Sequence, residues 1–389
     1  MIPGAGGRRG TARGPARLLG WVLAVWMLWI VVVTALSGRA LAYAAPYLAF
    51  PVLLFGGFLL GGFAGRWADG SVLWVPGSLR GGGGVGRGVG PAGMPEGGDR
   101  PRRARARRAA AAVLVQPVLL AALAVLLARR DVYANAQAAS GVQIMAAAGL
   151  LLTSVLRIGA GTWGRPIRAL LLAVSVPLAG LAGALGAVLA LRAQAGLVLA
   201  VLLFAVIVLA LVRPSAVPRL LSFGTGVGVI GGALVVVVWL TLLPVWPRWL
   251  DDEQSLSSAR HQLWRDALSL WSEHPLLGGG PGSFYDSSAI ARSAAHLYAA
   301  HSSVLQVGAE LGTPGVLLFL AVVLLSALIA ARASRPRALI GVAAWSALAV
   351  HSMIDHLYEF PIVVVLAGAV IGWAGARTHP PPTSGTLAP

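Results

Sequence analysis

Long apolar runs separated by short polar or basic turns dominate the chain. Ten of them, at about 18–37, 41–64, 110–128, 141–156, 169–191, 196–212, 221–245, 312–331, 338–354 and 361–376, approach the roughly 20 residues a helix needs to cross a bilayer. Lipid offers no partner to backbone N–H and C=O groups, so each run must satisfy them internally as a helix. The first run is Trp-rich and lacks a small-residue cleavage pattern, which makes it a retained span. The pattern predicts an all-α integral membrane protein of about ten transmembrane helices, with one large external loop carrying short helices. The expected order is an N-terminal tail with two spans (1–64), a basic Gly-rich linker (65–109), spans three to seven (110–245), the loop (246–311), spans eight to ten (312–376) and a C-terminal tail (377–389).

Composition agrees. Hydrophobic residues make up 57% of the 389 and charged residues 11%, against about 25% charged in soluble domains. With no cysteine, disulfides, thiolate zinc sites and cysteine nucleophiles are excluded. The net charge of +17 comes from 30 basic residues, all arginine, set in the connections between apolar runs rather than in one patch. With the N-terminus inside, the inner segments hold 22 arginines and the outer ones 8, which fixes the orientation by the positive-inside rule. Both termini and the basic linker are then cytoplasmic and the 246–311 loop external. The linker suits anionic headgroups; nucleic acid is the alternative, with no aromatic residues interleaved among the charges to support it.

The external loop concentrates four of the seven histidines, four of the eight outer arginines and seven acids. Polar, ionisable residues gathered at one membrane face point to a site, with a solvated surface loop as the plainer reading. Ser257 or Ser258 can cap a helix whose Leu263, Trp264, Ala267, Leu268 and Trp271 recur at helical spacing. Too short to span, this helix is expected along the outer interface, with Arg260 beside its lipid-facing stripe and Arg265 turned away. A guanidinium there suits a lipid-linked phosphate through bidentate bonds; ordinary snorkelling explains it equally well. Gly278, Gly280 and Gly282, after His274-Pro275, could bring amides to an anion or simply make turns. His301 is a candidate general base. Glu310-Leu311-Gly312-Thr313-Pro314 should interrupt the following helix, with Pro314 in the first turn of the eighth span. Asp251-Asp252-Glu253 could hold a divalent metal, but an acidic run at a span end needs none. His351 and Asp355, four apart, are expected on one helical face.

In order and spacing, Arg260-x-x-x-Trp264, His274-Pro275-Leu276-Leu277-Gly278-x-Gly280-x-Gly282-x-Phe284, His301-Ser302-x-x-Leu305 and Glu310-Leu311-Gly312-x-x-Gly315, with His351-Ser352-Met353-Ile354-Asp355 later, resemble the O-antigen ligase and O-antigen polymerase-like family. The resemblance implies transfer of a glycan from a polyprenyl pyrophosphate carrier to an acceptor hydroxyl, outside the cytoplasmic membrane, without a cofactor or metal. It implies catalytic roles for His301 and Arg260. The candidate substrate-binding residues are Arg265, His274, Gly278, Gly280, Gly282, Ser302, Glu310, His351 and Asp355. Ser302 departs from the family pattern, which has Asn after that histidine. The implied partners are the lipid-linked glycan, its glycan or lipid acceptor and the bilayer, with no nucleic acid. A secondary transporter or flippase is the competing class, but its ionisable residues belong at mid-span, where this chain has almost none.

Overall fold

A computed structural model of the chain describes residues 14–68, 118–125, 128, 133–159, 167–247, 250 and 257–376. The basic linker from residue 69 onward, the C-terminal tail, most of the expected third span and Asp251-Asp252-Glu253 lie outside the described residues, while residues 65–68 belong to the second helix. Among the described residues every regular element is helical. They are α1 (Gly14–Leu36), α2 (Ala45–Ala68), α3 (Ala134–Gly159), α4 (Ile167–Ala190), α5 (Gln194–Val212), α6 (Arg219–Leu242), α7 (Ser257–Glu273), α8 (Ser283–Ser287), α9 (Ala289–Ser293), α10 (Ser303–Ala331), α11 (Arg335–Met353) and α12 (Pro361–Gly375). Residues 118–125 are also helical.

Seven of the described helices are long and apolar enough to cross a membrane, fewer than the ten expected. The third run is only partly described. Arg335, Arg337 and His351 lower the hydropathy of α11, and α12 has 15 residues. The eighth span also differs, since its helix starts at Ser303 rather than near 312. The expected interruption is present inside it, where Gly312 takes a left-handed φ of 68° with ψ of −173°. A Cβ there would strike the Leu276 carbonyl oxygen, so the kink needs glycine.

Central and peripheral helices differ in composition for a physical reason. In α3, 89% of the apolar window is buried, and the helix is rich in Ala, Gly and Ser, which let neighbours approach. Windows of α4, α5 and α6 are 33% buried or less, and their Leu and Val side chains face outward, as a lipid-facing surface requires. The closest seam joins α2 to α12. Gly57, Gly61, Gly368 and Gly372 lie there against the partner's backbone, with no room for a Cβ. The core forms two clusters, one around α1, α2 and α10 and one around α3, α4 and α5, both reaching α11 and α12.

Candidate active site

Helix α7 builds one wall of the site. Its Leu263, Trp264, Ala267 and Leu270 are buried in the cluster that contains α10, and Trp271 lies over Gly308. The stripe therefore packs on protein, not on lipid as expected. Apolar spacing identifies a buried face but not the apolar medium that covers it. Trp264 Nε1 donates to the His301 carbonyl (3.3 Å), which ties α7 to the head of α10.

His301 and Ser302 lead into α10. Ser302 caps the helix, its hydroxyl accepting from the Leu305 amide (3.4 Å). His301 holds a positive φ of 49°, a conformation that non-glycine residues rarely adopt outside functional turns. Ser303 bonds the Asp355 carbonyl through its amide and its hydroxyl, both at 2.9 Å. This brings the turn after α11 against the head of α10. Helix α11 ends at Met353, so Asp355 lies past it and does not share a helical face with His351 as the four-residue spacing suggested.

Asp355 is the centre of the site. Oδ2 accepts from Tyr133 Oη (3.0 Å) and Asn135 Nδ2 (2.6 Å), and Oδ1 accepts from the His356 amide (2.8 Å). His301 Nδ1 lies 3.3 Å from Oδ1 and His356 Nδ1 2.9 Å from it. The side chains of Asp355, His356 and His301 are 0%, 2% and 3% exposed. Burial by itself would raise the Asp355 pKa, but the adjoining His301 and His356 rings, when Nδ1 carries a proton, outweigh it. The carboxyl is held well below its ordinary range. Burial and the Asp355 charge push the Tyr133 phenol up to about 12, keeping it a neutral donor. His301 Nε2 faces the His296 carbonyl at 3.2 Å. His356 Nε2 lies 3.0 Å from Tyr298 Oη, which donates to Glu359 Oε2 at 3.0 Å. Burial, then Glu359, raises the Tyr298 pKa. Arg260, half-buried on α7, acts electrostatically on both Tyr133 and His351, and its buried Nε has no hydrogen-bond partner. His351 is buried with Nε2 equally unpartnered.

The structure thus gathers Arg260, His301, His351 and Asp355. It adds Tyr133, Asn135, Tyr298, His356 and Glu359, to which the sequence reading gave no role. Their only signal was polarity on the expected outer side, in short connections for Tyr133, Asn135, His356 and Glu359 and in the large loop for Tyr298. Gly278, Gly280, Gly282 and Glu310 form a second group. The break at Gly312 frees carbonyls at the end of a helical segment. The Gly279 amide takes Ala309 O (2.8 Å), the Gly280 amide takes Glu310 O (3.1 Å), and Trp29 Nε1 takes Leu311 O (2.9 Å). The buried Glu310 carboxylate accepts from Tyr47 Oη (2.7 Å), the Gly282 amide (2.8 Å), Gln306 Nε2 (2.9 Å) and the Phe284 amide (3.3 Å). The Gly278 amide bonds the His274 carbonyl at 2.8 Å, while the His274 and Arg265 side chains are exposed. The loop's glycine amides are engaged within the protein.

Comparison with curated proteins gives no match. Residues 177–320 match the family described as O-antigen ligase. That stretch contains Arg260, His301 and the Gly-rich loop, while Tyr133 and Asp355 lie on either side of it. The match supports an O-antigen ligase-like family over that stretch, and the helical architecture, with seven described helices long and apolar enough to cross a membrane, is compatible with it.

Proposed function

We propose that the protein transfers a glycan from a polyprenyl pyrophosphate carrier to an acceptor hydroxyl on the external face of the cytoplasmic membrane, in surface polysaccharide assembly. The observation that carries this reading is the half-buried Arg260, whose unpartnered Nε lies within electrostatic reach of a His–Asp–Tyr cluster. Among the described residues no carboxylate forms an ion pair with Arg260, and a guanidinium so placed is suited to an incoming anion. Three stretches that the arginine asymmetry places outside, around 133–135, 260–301 and 355–359, meet there, as an outward-facing site requires.

In the reaction, the acceptor oxygen attacks the anomeric carbon while the carbon–oxygen bond to the diphosphate breaks. Polyprenyl diphosphate leaves with the electron pair, and Arg260 stabilises its growing charge. The acceptor hydroxyl displaces the His296 carbonyl from His301 Nε2, which takes its proton, while Nδ1–H bonds the Asp355 carboxylate. Diphosphate needs no protonation to leave, so neither a second carboxylic acid nor a metal is required. Direct displacement inverts the anomeric centre. Asp355 orients His301, and Tyr133 and Asn135 hold Asp355. Both termini lie in the cytoplasm.

The test is transfer from a polyprenyl-pyrophosphate glycan by purified protein. Arg260→Ala and His301→Ala are each expected to lower the rate by roughly 10²- to 10⁴-fold. Full transfer by both folded variants sinks the mechanism.

A further inference from the structure

The hydrogen bonds around the two buried imidazoles assign their protons. His356 Nε2 faces Tyr298 Oη, whose own hydrogen goes to the Glu359 carboxylate, so Nε2 must be the donor. His301 Nε2 faces the His296 carbonyl, which can only accept. With one proton per ring, held on Nε2, His356 Nδ1 is left with a bare lone pair and His301 Nδ1 with one that meets Asp355 Oδ1 and, at 3.5 Å, Tyr133 Oη. The two Nδ1 atoms face the same carboxylate oxygen, at 3.3 and 2.9 Å. The nearer contact is off the direction of a hydrogen bond, and His356 Nδ1 is buried without a partner. Two nitrogen lone pairs and an anionic oxygen converging in a buried cluster repel one another unless a cation lies among them.

We propose that His301 Nδ1, His356 Nδ1 and an Asp355 oxygen form a site for a divalent transition metal of the zinc type, whose occupation silences the transferase. The three ligand atoms lie within 4.8 Å of one another, and tetrahedral Zn²⁺ with bonds of about 2.0–2.1 Å sets neighbouring ligands roughly 3.3 Å apart. Two imidazoles and one carboxylate favour zinc-type ions over Mg²⁺ or Ca²⁺. The outer contacts are those of ligating residues, since each ring's other N–H is held by an oxygen and the second carboxylate oxygen accepts from Tyr133 and Asn135. Inhibition rests on the reading of His301 as the base. A metal on Nδ1 blocks the tautomer that frees Nε2, so the ring has no lone pair for the acceptor's proton.

The full chain in detergent is titrated with Co²⁺, read by its visible ligand-field bands, and then with Zn²⁺. The expected result is one Co²⁺ per chain with tetrahedral bands, displaced by Zn²⁺. Affinity should fall at least 10-fold in His356→Gln and roughly 10-fold in Tyr298→Phe, which removes only an outer contact. X-ray absorption of the zinc-loaded wild type should show two imidazoles, a measurement independent of any variant. Zn²⁺ should inhibit transfer by the wild type, with recovery on chelation. Absent bands, equal binding by the wild type and both variants, or a zinc spectrum without imidazole overturns the site. Stimulation of transfer by Zn²⁺ overturns the inhibition. Intact bands in a protein that transfers nothing support the metal site and count against the proposed reaction alone.

Discussion

Two buried polar centres sit at either end of the first segment of α10, and they are completed to different degrees. Around Glu310, every close contact pairs a donor with an acceptor. Tyr47, Gln306 and two backbone amides surround one carboxylate and use up its lone pairs. Around Asp355 the carboxylate is as well supplied, but its neighbours are not, since Arg260 Nε, His351 Nε2 and His356 Nδ1 are buried without partners. A closed network of this kind fixes shape, because each member's hydrogen bonds are already made. An open one holds polar groups at a desolvation cost and leaves their capacity for something that arrives later. Under the proposed function, the Glu310 network serves architecture and the His–Asp cluster serves chemistry.

The contrast can be broken most sharply at Glu310. Glu310→Ala leaves the four donors unpaired and is expected to cost about 3–5 kcal/mol, read as a lower unfolding midpoint in detergent. A variant of unchanged stability that had lost transfer would put Glu310 in the chemistry instead. Next is Gly312→Ala, which forces a left-handed φ and a clash with the Leu276 carbonyl. It should cost about 1–3 kcal/mol by the same assay. Asp355→Asn should lose roughly 1–3 kcal/mol near neutral pH, together with transfer. Because the folded carboxyl has a depressed pKa, its contribution is fully present above the unfolded value of about 3.9 and is lost as pH falls below that. The gap between wild type and Asp355→Asn should therefore be constant from pH 7 to about 5 and narrow below about 4. A gap that instead widened on acidification would mean that the folded state favours the protonated acid. The smallest effect is expected from Trp264→Phe, which removes one bond to the His301 carbonyl at a cost of about 1 kcal/mol and keeps most of the transfer rate.

Much of the fold was legible in the sequence because a membrane span is a one-dimensional signal. Its length and hydropathy are local, and the break at Gly312 could be read from Gly312-Thr313-Pro314 alone. The α7 helix was legible for the same reason, but its covering surface was not, since lipid and the α10 face are equally apolar to Trp264 and Ala267. The site was half legible. Arg260 and His301 stand in a loop of unusual polarity, but Tyr133 and Asp355 meet across 222 residues, and no periodicity reports such a pairing. The glycines mislead for another reason. Their backbone freedom is visible in the sequence, but the acceptors of their amides are the carbonyls freed by a kink elsewhere in the chain.

The Gly312 kink also bears on how His301 is aimed. Glycine breaks commonly let a helix swing, but here the severed end is tied down by two loop amides and by the indole of Trp29, which reaches Leu311 across 282 residues. The short rod from Ser303 to Leu311 is thus fastened at both ends, to the Asp355 turn at its head and to α1 at its foot. The direction in which the imidazole points is therefore set partly by a tryptophan in the first membrane helix, remote from any reacting atom.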